Sequence, residues 1–153
     1  MNEPFRYYVR VRYQDCDAQH VVFNARYGDY VDLACTEFLK AALPGRSPFD
    51  GSFEFMLARQ LIEWKGPARF DEVIEVAVRV ANIGTTSFTL LFELRKAGRA
   101  DIFATAETVN VHVDNKSYAK SPIPAELRER LGGGARGIQT DHAGYLPRGP
   151  GRD

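Results

Sequence analysis

Between Phe5 and Tyr13 the apolar residues fall on odd positions, Phe5, Tyr7, Val9, Val11 and Tyr13, with Arg6, Arg10 and Arg12 between them. Period two marks a strand with one buried face. From Asn24 to Leu43 the period changes: Tyr27, Tyr30, Val31, Ala34, Phe38 and Ala41/Ala42 recur at steps of three and four. That spacing predicts an amphipathic helix of roughly twenty residues, about 30 Å long. Asn24 is a good N-cap for it, and Pro44-Gly45 a stop.

Pro48 and Gly51 mark Arg46 to Ser52 as a loop, and from Phe53 to Val113 the pattern is strand throughout. Phe53, Phe55 and Leu57 alternate, but the parity has changed by Ile62 and Trp64, so a bulge is expected between them. Ile74, Val76, Val78 and Val80, then Phe88, Leu90, Phe92 and Leu94, form two alternating sets joined by Asn82-Ile83-Gly84, which predicts a hairpin. After a turn at Lys96 to Arg99, the last strand runs from Ile102 to Val113. Its parity also switches, from Ile102/Ala104/Ala106 to Val109/Val111/Val113, and predicts a second bulge. Pro124 to Leu131 suits a short terminal helix ended by Gly132. The stretch from Gly132 to Asp153 is rich in Gly, Pro and Arg and poor in residues to bury, so the expectation is a domain over 1–131 and a mobile tail over 132–153.

One strand, one long helix and four further strands in hairpin-like succession define an α+β protein. A single helix cannot cover both faces of a five-stranded sheet, which predicts a homodimer that pairs sheets or edges. The 153 residues, 44% of them apolar, supply one substantial core. Twenty basic residues balance twenty acidic ones, leaving no overall field to draw nucleic acid or an anionic membrane. Cys16 and Cys35 are too few for a disulfide framework and lack zinc-ligand spacing, so no metal is expected. With no apolar leader and no membrane-length apolar run, the expected setting is cytoplasmic.

The chemistry concentrates in Tyr13-Gln14-Asp15-Cys16-Asp17-Ala18-Gln19-His20-Val21-Val22-Phe23-Asn24, which joins the first strand to the helix. A helix N-terminus presents unpaired N–H groups and favours negative charge. A carboxylate beside such an oxyanion site is what hydrolysis of an activated acyl group requires.

Asp15-Cys16-Asp17, Val21-Val22-Phe23 and Asn24-Ala25-Arg26-Tyr27 resemble the loop and helix start of the 4-hydroxybenzoyl-CoA thioesterase family of hotdog proteins. Pro67-Ala68-Arg69-Phe70-Asp71-Glu72 and Gly84-Thr85-Thr86-Ser87-Phe88 continue the likeness, which spans residues 5 to about 127. The resemblance implies a hotdog fold, a five-stranded antiparallel sheet wrapped around one long central helix. It also implies a homodimer or homotetramer with acyl-CoA at the subunit interface, and no cofactor beyond the CoA of the substrate. It makes Asp17 the catalytic carboxylate, as nucleophile or as base on water, and the backbone N–H of Asn24 the oxyanion donor. Val22, Phe23, Tyr27, Arg69, Ser87 and Phe88 become the substrate contacts.

Two departures matter. His20 stands where the family commonly has Gly, at a position suited to φ > 0. Gly84, Thr85 and Thr86 replace the basic residues that aromatic-specific members place ahead of the Ser-Phe pair, so the CoA phosphates would need Arg59, Lys65, Arg69, Lys116 or Lys120. Asp15 and His20, with four residues between them, also match the acid–base pair of hotdog enoyl-CoA hydratases, the rival enzyme reading. A non-catalytic acyl-CoA binding protein is a third.

Overall fold

The structure, a computed structural model, describes residues 3–46, 50–51 and 53–149. Ser47, Pro48, Phe49 and Ser52 of the expected loop and the final 150–153 lie outside the described residues. β1 (Phe5–Arg10), α1 (Tyr27–Ala42), β2 (Glu54–Trp64), β3 (Val73–Ile83), β4 (Ser87–Lys96), β5 (Ile102–Val113) and α2 (Ala125–Gly133) come in the expected order, and an unexpected strand, β6 (Gln139–Asp141), follows them.

The strands form a single sheet in the order β2-β5-β4-β3-β1-β6. Five pair antiparallel, as expected, and the sixth, β6, runs parallel to β1. The sheet is therefore six-stranded and mixed. Helix α1 lies on one face and buries Tyr27, Tyr30, Val31, Ala34, Phe38, Leu39 and Ala42, one stripe at helical spacing. Against it pack the inward rows of β3 and β4, including Val76, Val78, Leu90 and Phe92. Phe38 and Phe5 meet edge to face at 5.9 Å, and both rings are fully buried. Burial of each such ring stabilises the fold by roughly 1.5–3 kcal/mol.

The bulge foreseen in β2 lies between Leu57 and Arg59. In β5 the expected bulge between Ala106 and Val109 is absent. Ala104, Ala106, Thr108, Asn110 and His112 continue in register on the buried face. The apolar parity switches because the inward positions become polar. Asn110 donates to the Thr108 hydroxyl at 3.2 Å, and the His112 Nδ1 lies 3.0 Å from the Ser121 carbonyl oxygen, which makes these residues tolerable inside. The irregularity falls instead at Phe103, between the Leu94–Ala104 and Arg95–Ile102 pairs.

Helix α1 is preceded by a 3-10 turn, Asn24–Arg26, and no side chain caps either start, so Asn24 is not the side-chain N-cap expected. β1 also ends three residues early: a second 3-10 turn, Tyr13–Asp15, lifts Tyr13 out of the sheet and leaves it 84% exposed.

Residues 134–146, expected to open a mobile tail that buries little, do bury little but are docked. Gly134, at φ 66, ends α2 two residues later than foreseen. Ala135 then enters the core, and β6 takes the free edge of β1. Tyr145 stacks on Tyr8 at 5.3 Å, and His142 sits 2.9 Å from the Tyr7 hydroxyl. Composition concealed this because a few aromatic contacts and strand hydrogen bonds suffice to hold a segment rich in Gly and Arg.

Candidate active site

The loop between β1 and α1 is folded by its own hydrogen bonds. Asp15 is 1% exposed, and its carboxylate accepts from the Arg12 backbone N–H at 2.9 Å, the Arg12 guanidinium at 3.1 Å and the Tyr30 hydroxyl at 2.9 Å. Burial opposes its charge, but these bonds outweigh burial and hold the carboxyl below its ordinary value. In return, burial and the neighbouring Asp15 charge push the Tyr30 hydroxyl well up. Asp15 thereby pins the loop to the helix.

Asp17 is placed differently. Its backbone N–H donates to Val21, its carbonyl accepts from His20, and only its Oδ1 is engaged among the described residues, by the Gln19 N–H at 2.8 Å. This tight turn requires a left-handed residue, and His20 occupies that position at φ 65, as its replacement of Gly implied. Asp17 and His20 share a cleft of about 440 Å³ with Tyr13, Gln14, Cys16, Ala18 and Phe70. Phe70 stands at its mouth, edge to face with Tyr13 at 6.2 Å.

A second loop locks the first in place. Val22 donates to the Ala68 carbonyl, Val21 bridges to Arg69, and the buried Tyr27 hydroxyl accepts from the Ala68 N–H at 3.1 Å. At the helix start the Phe23 N–H is spent on the Asp15 carbonyl, and the first intrahelical bonds come from Arg26 and Tyr27. The N–H groups of Asn24 and Ala25 precede those bonds and have no backbone acceptor among the described residues, as expected of a helix start.

Of the expected substrate contacts, Phe23 and Arg69 are exposed beside the loop, whereas Val22 and Tyr27 are buried beneath it. Ser87 and Phe88 lie elsewhere in the chain. They pair with Val111 and Asn110, so Phe88 stands six residues along β5 from Ala104, about 20 Å from the Trp64 end of the sheet. Tyr13, Gln14, Ala18 and Phe70 were not foreseen as cleft residues. Phe70 was legible only as part of the 67–72 block, and Tyr13 had been assigned to the strand.

The fold agrees with what the chain matches. Residues 11–131 match the thioesterase-like superfamily. A protein of Aquifex aeolicus strain VF5 is 31% identical over 129 residues, covering 84% of this chain and 98% of that one. The acyl-CoA thioester hydrolase YbgC of Escherichia coli O157:H7 is 27% identical over 124 residues, 80% of this chain and 92% of its own. Among solved structures, a gentisyl-coenzyme A thioesterase superposes with a TM-score of 0.73 at 26% identity, covering 82% of this chain and 98% of that one. The chain belongs to the thioesterase-like superfamily and is a thioester hydrolase with the hotdog fold. Among the described residues, no helix is long and apolar enough to cross a membrane.

Proposed function

We propose that this enzyme hydrolyses acyl-CoA thioesters with Asp17 as its catalytic carboxylate and the Asn24 backbone N–H as the oxyanion donor. The observation that carries this reading is the division of labour between the two loop carboxylates. Asp15 is buried and fully bonded, while Asp17 lines the cleft. Either Asp17 attacks the thioester carbonyl and water then hydrolyses the mixed anhydride, or Asp17 takes a proton from the attacking water. In both routes the acyl carbon gains a water oxygen and CoA leaves as the thiol. The same division weighs against the hydratase reading, because Asp15, the acid–base partner it needs, is spent on Arg12 and Tyr30.

The site is completed by a second copy of this chain. β2 is an edge strand of 11 residues with Met56, Leu57, Leu61 and Trp64 exposed along it. Such an edge favours pairing with another strand. Antiparallel pairing of two β2 strands about a twofold axis brings the Glu54 end of one copy to the Trp64 end of the other. Ser87 and Phe88 of one copy then approach the Asp17 loop of its neighbour. Arg69, bridged to Val21, places a cation close to the same loop for the CoA phosphates.

The test is release of free thiol from a panel of acyl-CoAs, by wild type and by Asp17→Asn. Asp17→Asn is expected to lower kcat by about 10³-fold or more with KM little changed, a loss of about 4 kcal/mol of transition-state stabilisation. Wild-type turnover in that variant, or hydration of crotonyl-CoA without thiol release, rejects the assignment.

A further inference from the structure

The chain continues past the 11–131 family match, and its residues 139–146 pack on β1 and reach, through Tyr145, a cleft that shares Phe70 with the Asp17 cleft. β6 lies along β1, with the His142 N–H bonded to the Tyr8 carbonyl at 2.9 Å. The Asp141 carboxylate then accepts from the Ala143 and Leu146 N–H groups at 2.9 and 2.8 Å, folding 141–146 into a compact turn. That turn delivers Tyr145 onto Tyr8 and against the β4–β5 turn. Gly98, at φ 82, makes room there: a Cβ at that position would lie 3.1 Å from the Tyr145 hydroxyl oxygen.

From there two connections lead to the site. Tyr145 shares a cleft of about 370 Å³ with Phe70, Asp71, Glu72 and Lys96. Arg10 spans the two segments, donating to the Asp71 carbonyl at 2.9 Å and to the Ala143 carbonyl at 3.4 Å, with the Asp71 carboxylate 3.5 Å away. Asp71 is itself in a left-handed conformation, φ 66, which a non-glycine residue adopts only when its surroundings hold it there. The residue before it is Phe70, whose ring faces both clefts and meets Tyr13 at the mouth of the Asp17 cleft.

We infer that residues 139–146 are a positioning element of this enzyme's site: through Arg10 and Tyr145 they fix the Asp71 turn, and with it the Phe70 and Tyr13 aromatic mouth through which the acyl-CoA enters. The inference rests on the Asp17 cleft being the active site. Tyr145 and Arg10 are positioning residues; neither lines the Asp17 cleft.

The test uses the full chain, a chain ending at Ile138, which keeps α2 and the Arg6 to Ile138 bond, and the variants Tyr145→Ala and Tyr145→Phe. Two readouts are taken: amide exchange at Asp71 and Glu72, whose N–H groups bond to Val11 and Arg69, and kcat and KM for an acyl-CoA that the wild type hydrolyses. In the shortened chain and in Tyr145→Ala, those two amides are expected to exchange about tenfold faster. KM is expected to rise by about tenfold while kcat stays within about threefold, with Tyr145→Phe, which keeps the stacked ring, restoring both. Unchanged exchange overturns the inference whatever the activity. Faster exchange with wild-type KM reduces the segment to a structural edge cover and overturns it as well. Should the wild type release no thiol from any acyl-CoA, the active-site reading fails separately, and the exchange data still decide whether the segment holds the turn.

Discussion

Asp15 and Asp17 are separated by one residue and live in different solvents. Asp15 has the environment of a core residue, its charge satisfied by Arg12 and Tyr30. Asp17 lines a cleft, with one carboxylate oxygen bonded to the turn. The contrast shows how a short loop can hold one carboxylate fixed and another in a cleft. One carboxylate anchors it to the helix, and its rigidity then presents the other. Substitutions that treat the two alike should give opposite results.

The largest separation is expected from truncation to alanine, read by thermal melting. Asp15→Ala leaves the Tyr30 hydroxyl and the Arg12 N–H without their acceptor and should lower stability by about 3 kcal/mol, roughly 6–12 °C in Tm. Asp17→Ala loses one exposed turn bond and should cost at most about 1 kcal/mol, while turnover is expected to be lost. Comparable melting points for the two variants would mean that Asp15 is no anchor.

A smaller effect isolates the anchor's electrostatics. Because the folded pKa of Asp15 is depressed, its stabilisation is present above the ordinary value of 3.8 and is lost as pH falls through the lower folded value. Tyr30→Phe removes one of the bonds that depress it, so the folded pKa should rise and the acid limb of the stability curve should move to higher pH. At neutral pH the same variant should lose about 1 kcal/mol. Urea melts of both proteins from neutral to acid pH measure this directly, and superimposable acid limbs would show that the Tyr30 bond does not tune Asp15.

The legibility of the fold in the sequence divides along the same line, between local and distant causes. The α1 stripe, the β3–β4 hairpin and the β2 bulge each arise from periodicity within one element, and the loop motif carried its residue types on its face. The failures involve partners remote in sequence. Tyr13 keeps the β1 parity but is turned outward, because the Arg12–Asp15 bonds bend the backbone first. The β5 parity switch looked like a bulge because a buried row of Thr108, Asn110 and His112 violates apolar alternation, and the Asn110–Thr108 bond and the Ser121 carbonyl beside His112 make that row tolerable. β6 contributes three residues with no apolar alternation, and its docking depends on Tyr7 and Tyr8 more than 130 positions earlier. Tyr30 read as one more apolar helix position, although its hydroxyl is what joins α1 to Asp15.

The smallest expected effect tests the turn that presents Asp17. His20 holds φ 65, a conformation that is unfavourable by about 1–2 kcal/mol for a residue with a Cβ and close to free for glycine. His20→Gly relieves that strain in the folded state but adds freedom to the unfolded chain, which takes back about 0.4–1 kcal/mol. The net change should be a stabilisation between about zero and about 1.6 kcal/mol, a rise of roughly 3–6 °C in Tm at most. If His20 serves only as the left-handed residue of the turn, kcat and KM stay at wild-type values and the pH profile of kcat is unchanged. A fall in kcat larger than about tenfold in a variant that melts no lower than wild type would instead assign the imidazole a part in the reaction. The same substitution thus separates a backbone requirement from a chemical one at the left-handed position of the Asp17 turn.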